Sequence, residues 1–357
     1  MMNNSHSLKP TLPRLSIGYP VFWGPAREAF MQAARDYSAN IQEVYFSWPH
    51  HPSGREPTAC REREDAQLAT KTLLDDLQLL SGTGIRLNLL LNANCYGSRA
   101  CSPILANEVL GLHDYISQSV PIELITTTSP FIAKSFKSGR PHVRVRASIN
   151  MRITSVQAME HVSPYFDEFC IHRDVNRDLA RLRQLGQWAD GNNKSVSILA
   201  NSGCLLSCPT GIFHDNWLAH YDTCTAEPID THDVLACRMS LKSASNRWHL
   251  MAATWIRPED ISQYDALVPL IKLATRTRMR PELIIRAYSK RAFDGNLLEL
   301  LEPSHLSTSP NWVIHNSRFP TGWFDFVSHC TKDCVHCDYC KTIHEVVSDG
   351  ATAIAKT

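Results

Sequence analysis

Cys330, Cys334, Cys337 and Cys340 fall within the run HCTKDCVHCDYC, four thiols in eleven residues. Thiolates three or four residues apart can close around one ion or cluster, because a tight loop or helical turn brings their sulfurs within a few ångströms of one another. The spacing C-x3-C-x2-C-x2-C supplies enough ligands for a 4Fe-4S cluster or a zinc site without outside help. Zinc is the alternative at this site, although the two well-separated pairs of a zinc ribbon are missing. The plainest reading is a zinc knuckle that only ties down the C-terminus.

A second pair, Cys204 and Cys208, lies in NSGCLLSCP. If this segment forms a helical turn, both sulfurs project from one face and can bind one centre. Cys95, flanking a glycine turn with Cys101, is a candidate remote fourth ligand. Cys60, Cys170 and Cys237 have no partner at a useful spacing and read as core or incidental. Arg173 and Arg177 in HRDVNRD, with Arg276 and Arg278 in ATRTRMR, are candidates for holding an anionic group, since guanidinium presents planar, paired donors. Structural salt bridges are their alternative role. Asn92 and Asn201 follow predicted strands and join the substrate-binding candidates. No residue stands out as a catalytic acid, base or nucleophile.

The elements that must position these residues alternate along the chain. Eight short β-rich segments are predicted: Leu15 to Tyr19, Glu43 to Ser47, Leu87 to Asn92, Ile122 to Thr126, Val143 to Ile149, Glu168 to His172, Val196 to Ala200 and Val268 to Leu273. Amphipathic stretches such as 61–80, 104–117, 154–162 and 176–188 lie between them, with apolar residues at helical spacing. This is α/β alternation, and eight repeats favour a closed (β/α)8 TIM-like barrel over an open sheet. Polar residues just after each strand would then ring one functional mouth. Residues 1–10 read as a flexible N-terminus and 11–304 as the barrel. Residues 201–265, too long for an ordinary connection, form a cysteine-bearing insertion after strand 7. Residues 305–357 form a C-terminal metal-binding tail.

At 357 residues and 43% apolar composition the chain can bury a large core. Thirty-six basic side chains against 35 acidic ones give a formal charge of +1, which excludes a global pull toward nucleic acid or membrane. The sequence shows neither a signal-peptide core nor an apolar run of spanning length, so a cytoplasmic protein with no membrane insertion is expected. In a reducing compartment its twelve cysteines should be thiols or metal ligands rather than disulfides.

Taken together, IHRDVNRDLARLRQLG, ILANSGCLLSCP, WIRPEDISQYDALVPLIKLATRTR and AYSKRAFDGNLLEL resemble the collagenase-like peptidases of family U thirty-two, from about Phe169 to Leu301. The resemblance implies a (β/α)8-like barrel and a cysteine-ligated iron–sulfur cluster. Several members, despite the peptidase label, take part in oxygen-independent hydroxylation of RNA bases or of a quinone precursor. Only Cys204 and Cys208 match the family's cysteine loop, so Cys95 and Cys224 are candidate completing ligands. The C-terminal four-cysteine run departs from the family and suggests an added centre. The expected function is thus an iron–sulfur enzyme modifying RNA or an aromatic or anionic small molecule. The first three cysteines of the tail also match the C-x3-C-x2-C spacing of radical S-adenosylmethionine enzymes. Those enzymes carry it after the first barrel strand, where this chain has GYPVFWGP, so that reading and its cofactor rank second. A cluster-bearing partner subunit for another protein and a true peptidase are the remaining alternatives. Against the peptidase, the chain has neither HExxH nor GxSxG.

Overall fold

The computed structural model describes residues 14–21, 24–49, 51–54, 63–220 and 234–349. The expected flexible N-terminus, Cys60 and Cys224 lie outside them. Eight parallel strands close into a barrel in sequence order, β8 pairing with β1. They are β1 (Arg14–Gly18), β2 (Ile41–Ser47), β3 (Arg86–Leu91), β4 (Leu124–Thr127), β5 (Arg144–Ala147), β6 (Glu168–Cys170), β7 (Ser195–Leu199) and β8 (Leu270–Leu273). Each coincides with a predicted segment to within a few residues. Strands buried on both faces read as short apolar runs, and the intervening helical periodicity left little room for another topology.

The connections carry helices α1 (Pro25–Asp36), α2 (Arg63–Gly82), α3 (Pro103–Ser117), α4 (Pro130–Gly139), α5 (Val156–Val162) and α6 (Leu179–Gly191). Their starts follow from local chemistry. Ser102 and Ser129 each accept a hydrogen bond from a backbone N–H of the first turn, and each is followed by a proline whose missing N–H costs nothing there. After β7 come α7 (Gly211–Ala219), α8 (Ala236–Leu241) and α9 (His249–Ala252) before β8, and α10 (Pro281–Lys290) follows it. Beyond the barrel, α11 (Trp323–Ser328) and α12 (Tyr339–Val347) accompany a two-stranded antiparallel sheet of β9 (Val313–Ile314) and β10 (Ser348–Asp349). Among the described residues, no helix is long and apolar enough to cross a membrane.

The barrel interior is polar at its floor, the N-terminal end of the strands. Glu43 on β2 accepts from both Nη atoms of Arg146 on β5, at 2.6 and 2.8 Å, and from Ser16, Arg86 and Asn88. Glu168 on β6 accepts from Arg146 Nε, Arg144 Nε and Arg86 Nη1, each at 3.0 Å. Burial by itself would raise the Glu43 carboxyl, but the Arg146 charge and hydrogen bonds, with those of Arg86 and Asn88, hold it well below the usual carboxylate range. Glu168 is lowered too: burial opposes the shift, and the charges of Arg146 and Arg86 outweigh it.

Candidate functional site

Three cysteine-bearing or cationic regions gather at the opposite, C-terminal end of the strands. The first is a small cavity of about 40 Å³ lined by Cys204, Cys208 and Cys237 together with Arg173, Asp174 and His172. Cys204 and Cys208 do not sit on a helical turn as the spacing suggested. Their segment is an irregular loop with Ser207 at a left-handed φ of 50°, and both side chains nevertheless face the same cavity. Gly203 explains how the loop is held. A Cβ there would stand 2.0 Å from the Pro303 carbonyl oxygen, while the Gly203 N–H donates to Glu302 at 2.9 Å. Only glycine lets the loop lie this close to the chain leaving the barrel.

Cys237, read from spacing as incidental, belongs to this pocket. Thr210 makes the link: its hydroxyl lies 3.4 Å from Cys208 Sγ and accepts from the N–H of Ala236, the first residue of α8. Burial pushes the Cys237 thiol up to about 11, and the neighbouring Cys204 and Cys208 add to the shift. Arg173, in the turn after β6, is half-buried and donates from Nη1 to Cys204 Sγ at 2.7 Å. Its own pKa is raised: burial opposes the shift, and Cys204 and the nearby aspartates outweigh it. Burial and the Arg173 charge lower His172 to about 4, against the opposing charge of Asp174. The cavity thus sets the Arg173 and Arg152 guanidiniums and the Asp174 and Asp215 carboxylates around its thiols.

The tail forms the second region. Cys330, Cys334, Cys337 and Cys340 line one cavity of about 390 Å³ with Trp248, Phe326 and Asp333. Cys340 occupies the first turn of α12, and the other three lie in the loop before it. Burial and the other three thiols lift Cys340 to about 11, opposed by the charge of Arg177. Burial, Cys330 and Cys337 also raise Cys334. The two thiol regions adjoin: Lys332 Nζ donates to the Asp174 carbonyl at 3.2 Å, and the Asp174 carboxylate accepts from the Ser207 N–H at 3.1 Å. Among the described residues, no three His, Cys, Asp or Glu side chains are already gathered in metal-binding geometry. The donor sets suit a thiophilic metal in type and number, while their side chains would have to close on it.

The third region is the barrel mouth itself, a cavity of about 60 Å³ that includes Tyr45, Asn92, Asn150, Arg173, Lys272 and Arg276 in its lining. Arg276 is buried and donates to Ser47 Oγ at 2.6 Å. Asn92 accepts the Gly54 N–H. Lys272, inside β8, was not singled out because LIKLAT reads as an ordinary buried strand.

The remaining candidates are committed elsewhere. Arg177 is buried, and its three guanidinium nitrogens donate to the carbonyls of Trp255 and Met251 at 2.8–3.1 Å, with the Trp255 and Trp323 rings 4.6 and 5.2 Å from its guanidinium carbon. Asn201 uses both amide ends on the Ala274 and Leu300 backbone. Arg278 donates to the Glu299 carbonyl at 2.6 Å and lies near Glu302. All three are structural braces: their residue types suit anions, but backbone carbonyls brought in by later segments claim their donors. Cys95 is half-buried at the end of β3, where its Sγ accepts from the Gly97 N–H, and it lines neither thiol cavity.

The fold defines a (β/α)8-barrel protein with two thiol-lined cavities and a cationic mouth gathered toward the C-terminal ends of its strands. No protein-family model matches the chain. It is 23% identical over 269 residues to a Methanocaldococcus jannaschii protein named uncharacterized protease MJ1657, covering 73% of this chain and 76% of that one. Among solved structures, that of the U32 peptidase Mk0906 superposes with a TM-score of 0.51 at 10% identity, over 73% of this chain and 92% of the other. The chain thus shares its fold with the U32 peptidase Mk0906 and is similar in sequence to the M. jannaschii protein.

Proposed function

We propose that this protein is an iron–sulfur enzyme whose primary centre is held by Cys204, Cys208 and Cys237, and that it modifies an RNA base or an aromatic or anionic small molecule without oxygen. The observation that carries this reading is the convergence of three thiols from two separate segments on one cavity beside the barrel mouth. A cluster held by three protein thiolates supplies electron transfer and one iron without a protein thiolate. Arg173 would position Cys204 through its 2.7 Å contact and, because it lines the mouth cavity as well, orient an anionic substrate toward that side. The tail's four thiols fit an auxiliary centre, iron–sulfur or zinc, packed against the first through Asp174. The radical S-adenosylmethionine reading is weaker, since its cysteines lie outside the barrel.

Anaerobic purification followed by iron and acid-labile sulfide analysis tests the reading. Iron and sulfide should be present, should fall in Cys204→Ser and Cys237→Ser, and should fall only partly in Cys334→Ser/Cys337→Ser. A colourless protein containing zinc alone would sink it. The relatives' names invite peptide hydrolysis as the alternative; cleavage of a peptide library by protein stripped of metal would favour that instead.

A further inference from the structure

We infer that the barrel mouth binds the oxyanion end of a small molecule, a carboxylate or a phosphoryl group, with Lys272 as its counter-ion. The inference does not depend on the iron–sulfur reading.

Lys272 is 8% exposed and projects from β8 into the mouth cavity. Its ammonium stands 3.9 Å from the centroid of the Tyr45 ring, and among the described residues it has no hydrogen-bond acceptor and no carboxylate within ion-pair distance. A buried ammonium so placed is costly unless a charge of opposite sign arrives. Among the described residues the walls leave it without one. Arg276 and Arg173 add positive charge, and the one lining carboxylate among the described residues, Glu302, faces Arg278 at 3.9 Å. Below it, Glu43 and Glu168 are already engaged by Arg146, Arg86 and Arg144.

The neutral groups point the same way. Asn92 is oriented by its Oδ1, which accepts the Gly54 N–H at 3.1 Å, so its Nδ2 is a donor, and among the described residues no acceptor faces it. A Cβ on Gly54 would stand 2.8 Å from that Nδ2 and 3.2 Å from the Asn150 Nδ2. Glycine therefore leaves room for two amides to converge at the cavity wall. A lining rich in unused donors matches a group that only accepts, such as a carboxylate or phosphoryl oxygen. The volume of about 60 Å³ is that of roughly two water molecules, enough for the charged end of a ligand and not for the whole of it.

Burial lowers Lys272 to about 8. Cys170 on β6 and Glu43 on β2 oppose the shift, while Arg146 on β5 and Arg276 after β8 add to it. An anion interacts with the charged ammonium, so binding should be full well below pH 8 and weaken by about tenfold per pH unit above it.

The test is calorimetric titration of the purified, metal-replete protein with inorganic phosphate and with acetate, at constant ionic strength in chloride. Saturable binding is expected, with phosphate preference assigning a phosphoryl ligand and acetate preference a carboxylate. Lys272→Met should lower the affinity by roughly 10- to 100-fold with an unchanged circular dichroism spectrum. Asn92→Asp, which keeps the acceptor for Gly54 but replaces the donor with a negative charge, should lower it at least about tenfold as well. No saturable binding of either anion, or equal binding by Lys272→Met, would overturn the inference. Iron and sulfide content should be unchanged in Lys272→Met, so this result and the fate of the iron–sulfur reading can be told apart.

Discussion

The two ends of one barrel interior treat buried charge in opposite ways. At the floor, two carboxylates and three guanidiniums pair with one another through hydrogen bonds, so that each charge meets its opposite within the protein. At the mouth, a lysine and an asparagine amide keep donors without acceptors among the described residues, beside a cavity. The same residue types thus act as architecture where the chain supplies their counter-charge and as a binding surface where it does not. Position along the strand decides which, as the division of labour in such barrels leads one to expect.

The sharpest way to break this contrast is to remove the floor's central cation. Arg146→Leu leaves Glu43 and Glu168 buried with too few donors and should cost about 3–5 kcal/mol, read as a fall in the denaturant midpoint. A smaller effect separates the two ends by pH. Because the folded Glu43 and Glu168 lie below their unfolded values, their contribution is complete above the unfolded carboxyl pKa of about 4.3 and is lost as pH falls through the folded values. Stability of the natural protein should therefore decline only below about pH 5. In Arg146→Leu burial dominates, the folded carboxyls move up, and the acid slope should flatten or invert. The smallest effect belongs to the mouth: Lys272→Met should change stability by no more than about 1 kcal/mol, since it removes an ion without a partner. A large loss there would mean that the mouth, too, is architecture.

The barrel was legible because its strands are apolar runs and its helices keep their period, and the alternation of the two admits few topologies. The floor was not, since Glu43, Arg146 and Glu168 come from strands far apart in sequence and their partnership exists only once the barrel closes. Cys237 was hidden for a related reason: 29 positions beyond Cys208, it reaches the pocket through the Thr210 contact to α8. Arg177 and Asn201 went astray in the other direction. Their types suit a substrate, and only the folded backbone shows that Trp255, Met251, Ala274 and Leu300 consume them.

The aromatic stack deserves to be followed into the tail. Trp323 lies against Trp255 at 5.7 Å and against Tyr339 at 6.1 Å, and Tyr339 stacks on Phe326 at 3.6 Å. The Arg177 guanidinium carbon lies beside the two tryptophans, 4.6 Å from the Trp255 ring centroid and 5.2 Å from that of Trp323. A chain truncated after residue 304 would therefore not be a smaller, tidier barrel. It would carry the Trp255 indole face into solvent, with the aggregation hazard that follows. Conversely, the indole emission of these two tryptophans offers a built-in reporter of whether the C-terminal segment is seated.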